Sequence, residues 1–344
     1  MDYRWNSNTV SIRNMTTRRG LAIGCGGLLG FAWTAVALDA VERAMNWDTR
    51  TADVLIGTSA GAELVAALGS GRTPADLLAA LDAAPDADPI LAAHVAVDPG
   101  KIPPLPGLGF PGLGLVGAGL RARSPYTALA GLLPRGRGDA GWLRSFGQAL
   151  SGPSGWVSHP ATWVVGADAA TGARVAFGAN ETADGIVTAG TSGAAGAEPV
   201  ELGDAIAASW AIPGWFPPVR IGGNDYVDGG SVSSVSADLL VPLELDEVVV
   251  IAPMTSEGGA PATGLDRVER LLRTQMTRGL DREVALLRAA GTRVIRVEPG
   301  PEELAAMGPN FMDSARRPAT LAAARRAMAT RVADALRGPA GRLA

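Results

Sequence analysis

The stretch DVLIGTSAGAELVAAL (Asp53–Leu68) decides the fold, because it joins an apolar, strand-like run to a helix-like run through a serine between two glycines. Its centre, Gly57-Thr58-Ser59-Ala60-Gly61, fits G-x-S-x-G, the sharp strand-to-helix turn whose flanking glycines let the backbone pack closely while the serine hydroxyl projects outward. Ser59 would also lie at a helix N-terminus, where the helix dipole favours negative charge. Two interpretations stay open here: Ser59 is an exposed nucleophile, or it merely caps the helix.

Apolar and amphipathic runs alternate on both sides of this stretch. Gly20–Gly24 predicts a strand before it and Phe31–Met45 a helix, and this order of strand, helix, strand, helix is typical of a βαβ unit with a parallel sheet. We therefore predict one α/β domain over residues 20–344, with a mostly parallel central sheet flanked by helices. Further helices are predicted at 73–83, 126–133, 140–150, 204–211, 265–290 and 318–337, further strands at 219–221, 226–227, 247–252 and 293–297, and a hairpin across Thr171-Gly172.

A Gly/Pro-rich segment at about 84–134 interrupts this alternation, and we predict that it is an irregular excursion. Within it, Ile102–Leu120 has no charged residue and lies between Lys101 and Arg121. The run is long enough to suggest a membrane span, but its prolines and glycines disfavour a continuous helix. It is either an irregular loop over the core or a lid that makes peripheral contact with a membrane.

The composition argues against several function classes. A net charge of −4 and a pI near 5.4 provide no basic footprint for a nucleic-acid partner. The single cysteine, Cys25, can form neither an intrachain disulfide nor a structural zinc site on its own. The first twenty residues carry no apolar core of the kind that a secretory signal needs. We therefore expect a cytoplasmic protein, with residues 1–19 as a flexible N-terminal extension.

A second glycine cluster, in AIGCGGLLG, follows the first predicted strand. Neighbouring strands of a parallel sheet end on the same side, so we expect the turn Gly24–Gly30 beside Ser59. Glycines there expose backbone N–H groups of the kind that an oxyanion needs. A dinucleotide phosphate loop is disfavoured, because Leu29 stands where the third glycine belongs and no acid follows the second strand to hold a ribose.

The base that would activate Ser59 is harder to identify. The chain has two histidines, His94 in an apolar run and His159 before a proline, and both positions are more typical of structural histidines. The run DYVDGG instead offers Asp228, followed by two glycines that allow a tight turn and a close backbone approach. Taken alone, this pattern favours an ordinary hairpin turn. The nearby aromatic residues would line an acyl pocket or, as we favour, pack in the core; they are Trp210, Trp215 and Phe216.

Three elements in order, Gly24–Gly30, Gly57–Gly61 and SWAIPGWFPPVRIGGNDYVDGG (Ser209–Gly230), resemble the patatin-like phospholipase family. The resemblance covers Gly20–Ser70 and Ala205–Ala252. It implies a three-layer α/β/α sandwich and a serine acyl hydrolase that cleaves fatty-acyl esters of lipids without a metal or cofactor.

The resemblance also implies roles for particular residues. Ser59 and Asp228 would form a catalytic dyad in which Asp228 takes the serine proton directly, and Gly26, Gly27 and Leu28 would donate N–H groups to the oxyanion. The glycines that shape the two turns are Gly57 and Gly61 at the elbow and Gly229 and Gly230 after the aspartate.

Two positions depart from the family's usual pattern. Leu29 stands where a basic residue usually precedes the last glycine of the first turn, and SVSSVS (Ser231–Ser236) stands where an asparagine often follows Asp-Gly-Gly. Two alternatives on the same fold therefore stay open, a lipid-binding module without turnover and an acyltransferase.

Overall fold

The computed structural model describes residues 17–105, 107, 113–122, 124–179, 187–189, 200–257, 259 and 266–338. The N-terminal extension expected at residues 1–19 therefore lies almost entirely outside the described residues.

A single mixed sheet forms the centre of the part that the structure describes. Its strand order is β5-β4-β3-β2-β1-β8-β9, and β7 pairs with both β3 and β6. Strands β3, β2, β1, β8 and β9 run parallel, whereas β4 and β7 are antiparallel to β3. The strands are β1 (Arg19–Ile23), β2 (Val54–Thr58), β3 (Thr162–Asp168), β4 (Arg174–Phe177), β5 (Val187–Ala189), β6 (Val219–Ile221), β7 (Asn224–Asp228), β8 (Glu247–Ile251) and β9 (Arg293–Val297).

Helices cover both faces of this sheet. They are α1 (Gly27–Met45), α2 (Ala60–Gly69), α3 (Pro74–Leu81), α4 (Pro89–Val95), α5 (Leu113–Arg121), α6 (Pro125–Leu132), α7 (Gly141–Leu150), α8 (Leu202–Ser209), α9 (Asp266–Ala289), α10 (Pro301–Met307) and α11 (Arg317–Arg337).

Alternating side chains of the buried strands separate two apolar cores. In β1, Leu21 and Ile23 join the core that contains α1, α2, α8 and α11, whereas Ala22 joins the core that contains α9. Successive side chains of a strand point to opposite faces, so a strand buried on both faces is apolar along its whole length. The predicted three-layer α/β/α architecture is therefore confirmed.

The excursion at 84–134 is less irregular than predicted, because it contains two unpredicted helices, α4 and α5, besides α6, which corresponds to the helix predicted at 126–133. Its prolines begin helices here. Pro89 and Pro125 occupy first helical turns, and the side chains of Asp88 and Ser124 cap those two helices. The run Ile102–Leu120 is not one continuous helix, since residues 102–105 are irregular and α5 begins only at Leu113.

The first predicted helix also begins earlier than expected. Helix α1 starts at Gly27 rather than Phe31, with Gly26 as its N-cap. The second half of the Gly24–Gly30 segment is therefore the first turn of a helix that spans 19 residues. The sequence reading missed this because glycine is a poor helix former, and tertiary packing overrides that preference here. Helix α10 and strand β5 were not predicted either.

Candidate active site

The two glycine-rich turns leave the same edge of the sheet. Strand β1 pairs with β2 in parallel, with Ile23 opposite Gly57, so the turns that follow them are neighbours. Asp228 reaches this edge from the antiparallel strand β7, where it lies opposite Gly166 of β3. A cavity of about 190 Å³ is lined by Gly26, Gly27, Ser59, Asp228 and Gly230, among others. The fold thus brings together residues that are widely separated in sequence.

Ser59 occupies a strained elbow between β2 and α2. Its φ of 55° and ψ of −119° lie where a side chain is unfavourable, at a cost of roughly 1–3 kcal/mol. Its side chain makes no capping hydrogen bond to α2, contrary to the capping interpretation. The Ser59 N–H instead donates to Oγ of Ser209 (2.8 Å), whose hydroxyl donates to the carbonyl of Val165 (2.6 Å). Ser209, which the sequence reading did not single out, therefore holds the elbow against β3.

Neighbouring backbone atoms lie so close to both elbow glycines that a side chain would not fit at either position. A Cβ on Gly57 would lie 2.2 Å from the carbonyl oxygen of Gly61, and a Cβ on Gly61 would lie 2.2 Å from that of Ile23. Neither distance is compatible with a side chain. The pair therefore lets α2 start directly against the ends of β1 and β2.

Asp228 ends β7 and is 5% exposed. Its backbone N–H donates to Ala211 (3.0 Å), and its Oδ1 accepts a hydrogen bond from the N–H of Gly230 (2.7 Å). Burial raises the pKa of Asp228 to about 7, while the hydrogen bonds from Gly230 and from the Ser59 hydroxyl act to lower it. Asp228 is not part of the β6–β7 hairpin turn; it caps the short 3-10 helix Gly229–Ser231. The ordinary hairpin interpretation is therefore wrong.

The glycines after Asp228 also allow close packing. A Cβ on Gly229 would lie 2.6 Å from the carbonyl oxygen of Val165, and one on Gly230 would lie 2.9 Å from Oδ1 of Asp228. The backbone of this turn thus lies directly against β3 and the aspartate.

Free backbone donors face this region at the N-terminus of α1. Within the described ranges, the N–H groups of Gly26, Gly27 and Leu28 donate to no acceptor. Gly27 has a φ of 56°, and a Cβ there would lie 2.5 Å from the ring of Phe311, so only glycine fits. Gly26 and Gly27 line the cavity, whereas the side chain of Leu28 packs in the core. The flanking amides are occupied: Gly24 donates to Ile251, Cys25 to Ser234 and Leu29 to Phe311.

The position that departs from the family pattern, Leu29, lies in the first turn of α1, and its side chain is fully buried. A buried arginine from α9 binds the segment that packs against this glycine turn. Arg273 is 3% exposed, pairs with Glu269 at 2.7 Å and donates to the carbonyl of Pro253 at 2.6 Å. The Pro253 ring lies against the turn, because a Cβ on Gly26 would be 2.7 Å from its Cγ. Arg273 therefore supports the glycine turn through Pro253.

Arg273 was missed from the sequence, although a signal was present. Glu269 and Arg273 are four residues apart in the predicted helix 265–290, so they share one face of it. That face is buried, and a charged pair on a buried helix face indicates a structural or functional role.

The second departure from the family pattern, SVSSVS, is held in place by hydrogen bonds that involve Ser233 and Glu283. The Ser233 hydroxyl accepts the N–H of Ser236 at 2.9 Å and donates to the carboxylate of Glu283 in α9. The same carboxylate accepts the N–H of Ala237 at 2.9 Å. Burial raises the pKa of Glu283 to about 7. A serine and a distant glutamate thus hold the turn that follows Asp228.

Neither histidine lines the cavity that contains Ser59 and Asp228. His94 pairs with the buried Glu63 at 3.2 Å and stacks on Phe146 with ring centroids 3.6 Å apart. Nε2 of His159 lies 2.8 Å from the carbonyl oxygen of Ala52. Both histidines are therefore structural, as the sequence favoured.

The walls of the cavity are mainly apolar. Trp210 and Phe216 are buried in the main core, so they are packing residues rather than pocket residues. Tyr126, missed from the sequence, lines the cavity, and burial with the nearby Cys25 and Asp228 raises the pKa of its phenol. The apolar wall includes Leu129, Leu133, Ile212, Met254, Leu272 and Met276.

Two further findings concern the described part of the chain only. No group of three or more His, Cys, Asp or Glu side chains is arranged there to hold a metal ion. None of its helices combines the length and apolar character that crossing a bilayer requires.

The sequence is similar to a known protein family. The family model described as patatin-like phospholipase matches residues 21–241, a range that contains Ser59, Asp228 and both glycine turns. No curated protein matches the sequence significantly. Since the family model covers more than half of the 344 residues, the chain belongs to the patatin-like phospholipase family.

Proposed function

We propose that this protein is a serine acyl hydrolase that cleaves fatty-acyl ester bonds of lipids, with Ser59 as nucleophile and Asp228 as general base and acid. One observation carries the proposal: both side chains are buried in an apolar cavity that Gly26 and Gly27, two residues with unoccupied N–H groups in the described structure, also line. The family membership supports a lipid hydrolase, and this geometry supports the dyad.

In the proposed mechanism, Asp228 takes the hydroxyl proton of Ser59 as Oγ attacks the ester carbonyl carbon. The carbonyl oxygen becomes an oxyanion and accepts the N–H groups of Gly26, Gly27 and Leu28. When the intermediate collapses, Asp228 returns the proton to the leaving alcohol. Asp228 then deprotonates water, which attacks the acyl-enzyme and releases the fatty acid.

The environment of the dyad compensates for the weakness of a carboxylate as a base. Burial raises the pKa of Asp228 to about 7, which brings its proton affinity closer to that of an alcohol and keeps a large ionised fraction near neutral pH. The N-termini of α1 and α2 both lie at the cavity, where their dipoles favour the alkoxide and the oxyanion.

The outer surface supports peripheral contact with a lipid aggregate, which we propose as part of the function. Leu129 and Leu133 line the cavity and are 59% and 38% exposed. Ile102, Leu113 and Leu120 in the preceding segment are more than 70% exposed. Exposed apolar residues beside the cavity would be covered by lipid when the enzyme rests on an interface. A cytoplasmic location stays a prediction from the sequence.

The test is intact-mass analysis after exposure to a fluorophosphonate, which reacts with activated serines. We expect one adduct on the parent protein, none on Ser59→Ala and a much slower reaction in Asp228→Asn. Ser231→Ala is the matched control, because Ser231 is a buried serine that lines the same cavity. An adduct that forms on Ser59→Ala at the parental rate would contradict the proposal.

Turnover separates hydrolysis from the two alternatives. Nitrophenyl esters of short and long fatty acids, incubated with and without an added alcohol, should release free fatty acid in a Ser59-dependent manner. Lipid binding without turnover would instead support the binding module, and transfer to the alcohol as the main product would support an acyltransferase.

A further inference from the structure

A second cavity, of about 570 Å³, adjoins the catalytic cavity. The two share Tyr126, Gly230 and Met276 in their linings. Parts of α5, α6 and α9 form its walls, together with the segment that follows Asp228. Its lining is far more polar than that of the catalytic cavity, with hydroxyl side chains from Ser124, Thr127, Thr171, Ser233 and Ser234.

Two arginines with exposed side chains line this polar cavity. Arg121 of α5 donates to the carbonyl of Thr171 at 3.4 Å, and Arg282 of α9 donates to the carbonyl of Arg278 at 3.2 Å. Neither guanidinium forms an ion pair with a carboxylate in the ranges that the structure describes, and no residue named in the lining is acidic. The residues that line the cavity therefore include two arginines and several hydroxyl groups but no carboxylate.

Ser234 is a further unsatisfied donor in this lining. The residue is 4% exposed, and its hydroxyl has no hydrogen-bond partner among the described residues. The carbonyl of Ser234 accepts the N–H of Cys25 at 2.8 Å, which links this cavity to the glycine turn.

We propose that the polar cavity binds the anionic phosphate head group of the lipid whose acyl ester lies at Ser59. The proposal rests on the proposed function. Asp228 returns a proton to the leaving alcohol, so the alcohol portion of the lipid lies on the side of Asp228. Gly230, whose N–H donates to Asp228 at 2.7 Å, lines both cavities. The head group attached to that alcohol therefore points into the polar cavity, while the acyl chain lies against the apolar wall.

The charges of the cavity define the class of head group. Guanidinium groups bind phosphate strongly through charge-assisted hydrogen bonds. The lining residues include no carboxylate that would complement an ammonium group. The preferred lipids therefore carry a phosphate and no cation, as phosphatidic acid and phosphatidylglycerol do, and phosphatidylcholine is a poorer substrate.

The experiment compares head groups on identical acyl chains. Phosphatidylglycerol, phosphatidylcholine and diacylglycerol are presented to the full chain in micelles of a neutral detergent. We expect the parent kcat/KM to be about tenfold higher for phosphatidylglycerol than for the other two lipids. Arg121→Gln combined with Arg282→Gln should abolish this preference and leave hydrolysis of nitrophenyl butyrate unchanged. Arg326→Gln is the control, because Arg326 is an exposed arginine of α11 that lines neither cavity.

Two results would overturn the head-group assignment while leaving the hydrolase intact. The first is equal parental kcat/KM for phosphatidylglycerol and phosphatidylcholine. The second is a double variant that loses activity equally on all substrates, nitrophenyl butyrate included. Failure of the proposed function looks different, since no ester would then be turned over in a Ser59-dependent manner.

A binding measurement tests the cavity independently of turnover. Ser59→Ala protein, with and without the two arginine substitutions, is titrated calorimetrically with dihexanoyl phosphatidic acid. We expect binding that weakens about tenfold or more when both arginines are replaced, and unchanged binding would overturn the assignment. Inorganic phosphate that binds as tightly as the short-chain lipid would identify free phosphate as the ligand and overturn the lipid assignment.

Discussion

The elbow at Ser59 and the turn at Asp228 carry the two halves of the candidate dyad, and the fold holds them by different means. The elbow is held by close backbone contacts between β1, β2 and α2, with one hydroxyl, that of Ser209, behind it. The turn after Asp228 is held by side chains from elsewhere, above all Glu283 of α9. The backbone geometry at Ser59 thus depends on close steric contacts, whereas the raised pKa of Asp228 depends on burial by distant elements.

The largest expected effect is the loss of activity in Asp228→Asn, a substitution that tests the carboxylate as a base without changing its packing. Asp228→Asn keeps the shape and an acceptor for the Gly230 N–H, but it cannot take a proton. We expect kcat/KM for ester hydrolysis to fall by about 10³-fold. In the parent, the rate should rise with pH and level off above a midpoint near 7, because the ionised carboxylate is the base and burial raises its pKa to about 7. A pH-independent parental rate between pH 5 and 9 would contradict this role.

The same substitution, Asp228→Asn, should lower activity but raise the stability of the folded protein at high pH. Burial raises the pKa of Asp228 from 3.8 to about 7, so the native state holds this proton more tightly than the unfolded chain. The resulting stability is fully present below about pH 4 and is lost as the pH rises through 7. Asp228→Asn should therefore be more stable than the parent at pH 8.5, by up to roughly 4 kcal/mol, with a smaller difference at pH 5. Thermal unfolding at both pH values is the measurement, and a pH-independent difference would count against the buried charge.

Local sterics at the elbow are tested by Gly61→Ala. The new Cβ would lie 2.2 Å from the carbonyl oxygen of Ile23, so β1 and α2 must separate. We expect a loss of about 3 kcal/mol in the free energy of unfolding, measured in urea. Gly117→Ala is the matched control, because a Cβ at this helical glycine meets no atom within 4 Å. Equal effects of the two substitutions would show that the elbow glycine is not required by packing.

The support of the glycine turn by Arg273 predicts a smaller, kinetic effect. Arg273→Met removes the hydrogen bond to Pro253, so the turn that presents the N–H donors should loosen. We expect kcat for a nitrophenyl ester to fall about tenfold with KM nearly unchanged, and Arg273→Lys to restore part of the loss. The midpoint of the pH profile should stay near 7, since the effect acts on the oxyanion rather than on Asp228. A parallel loss in folded protein, with normal kcat for the folded fraction, would indicate a purely structural role.

The smallest effect is expected at the exposed apolar surface. Leu113→Ser combined with Leu120→Ser should reduce co-sedimentation with lipid vesicles about fivefold or more, because both exposed side chains lose interfacial contact. Leu286→Ser is the control, an exposed leucine of α9 outside the cavity lining. Vesicle binding that is unchanged in the double variant would contradict the proposed lipid contact.

Much of the fold was predictable because its signals are local. Continuous apolar runs predicted β1, β2 and β8, since strands buried on both faces cannot alternate in polarity. The helix predicted at 73–83 begins where expected, because the Thr73 side chain caps α3 and Pro74 is its first residue. Predictions failed where local preference and packing disagree, as at Gly27, where a glycine begins a long helix, and at Pro89, where a proline begins the unpredicted helix α4.

The sequence by itself determined the α/β architecture, the elbow around Ser59 and the acid at the end of β7, because each depends on residues adjacent in the chain. Only the tertiary structure decided which of those residues share a cavity and what their surroundings do to them. The raised pKa of Asp228, the support of Ser59 by Ser209 and of the glycine turn by Arg273, and the polar cavity beside Gly230 are all long-range. Burial and electrostatic interactions depend on all the atoms that folding brings close to a group, so a local sequence pattern cannot predict them.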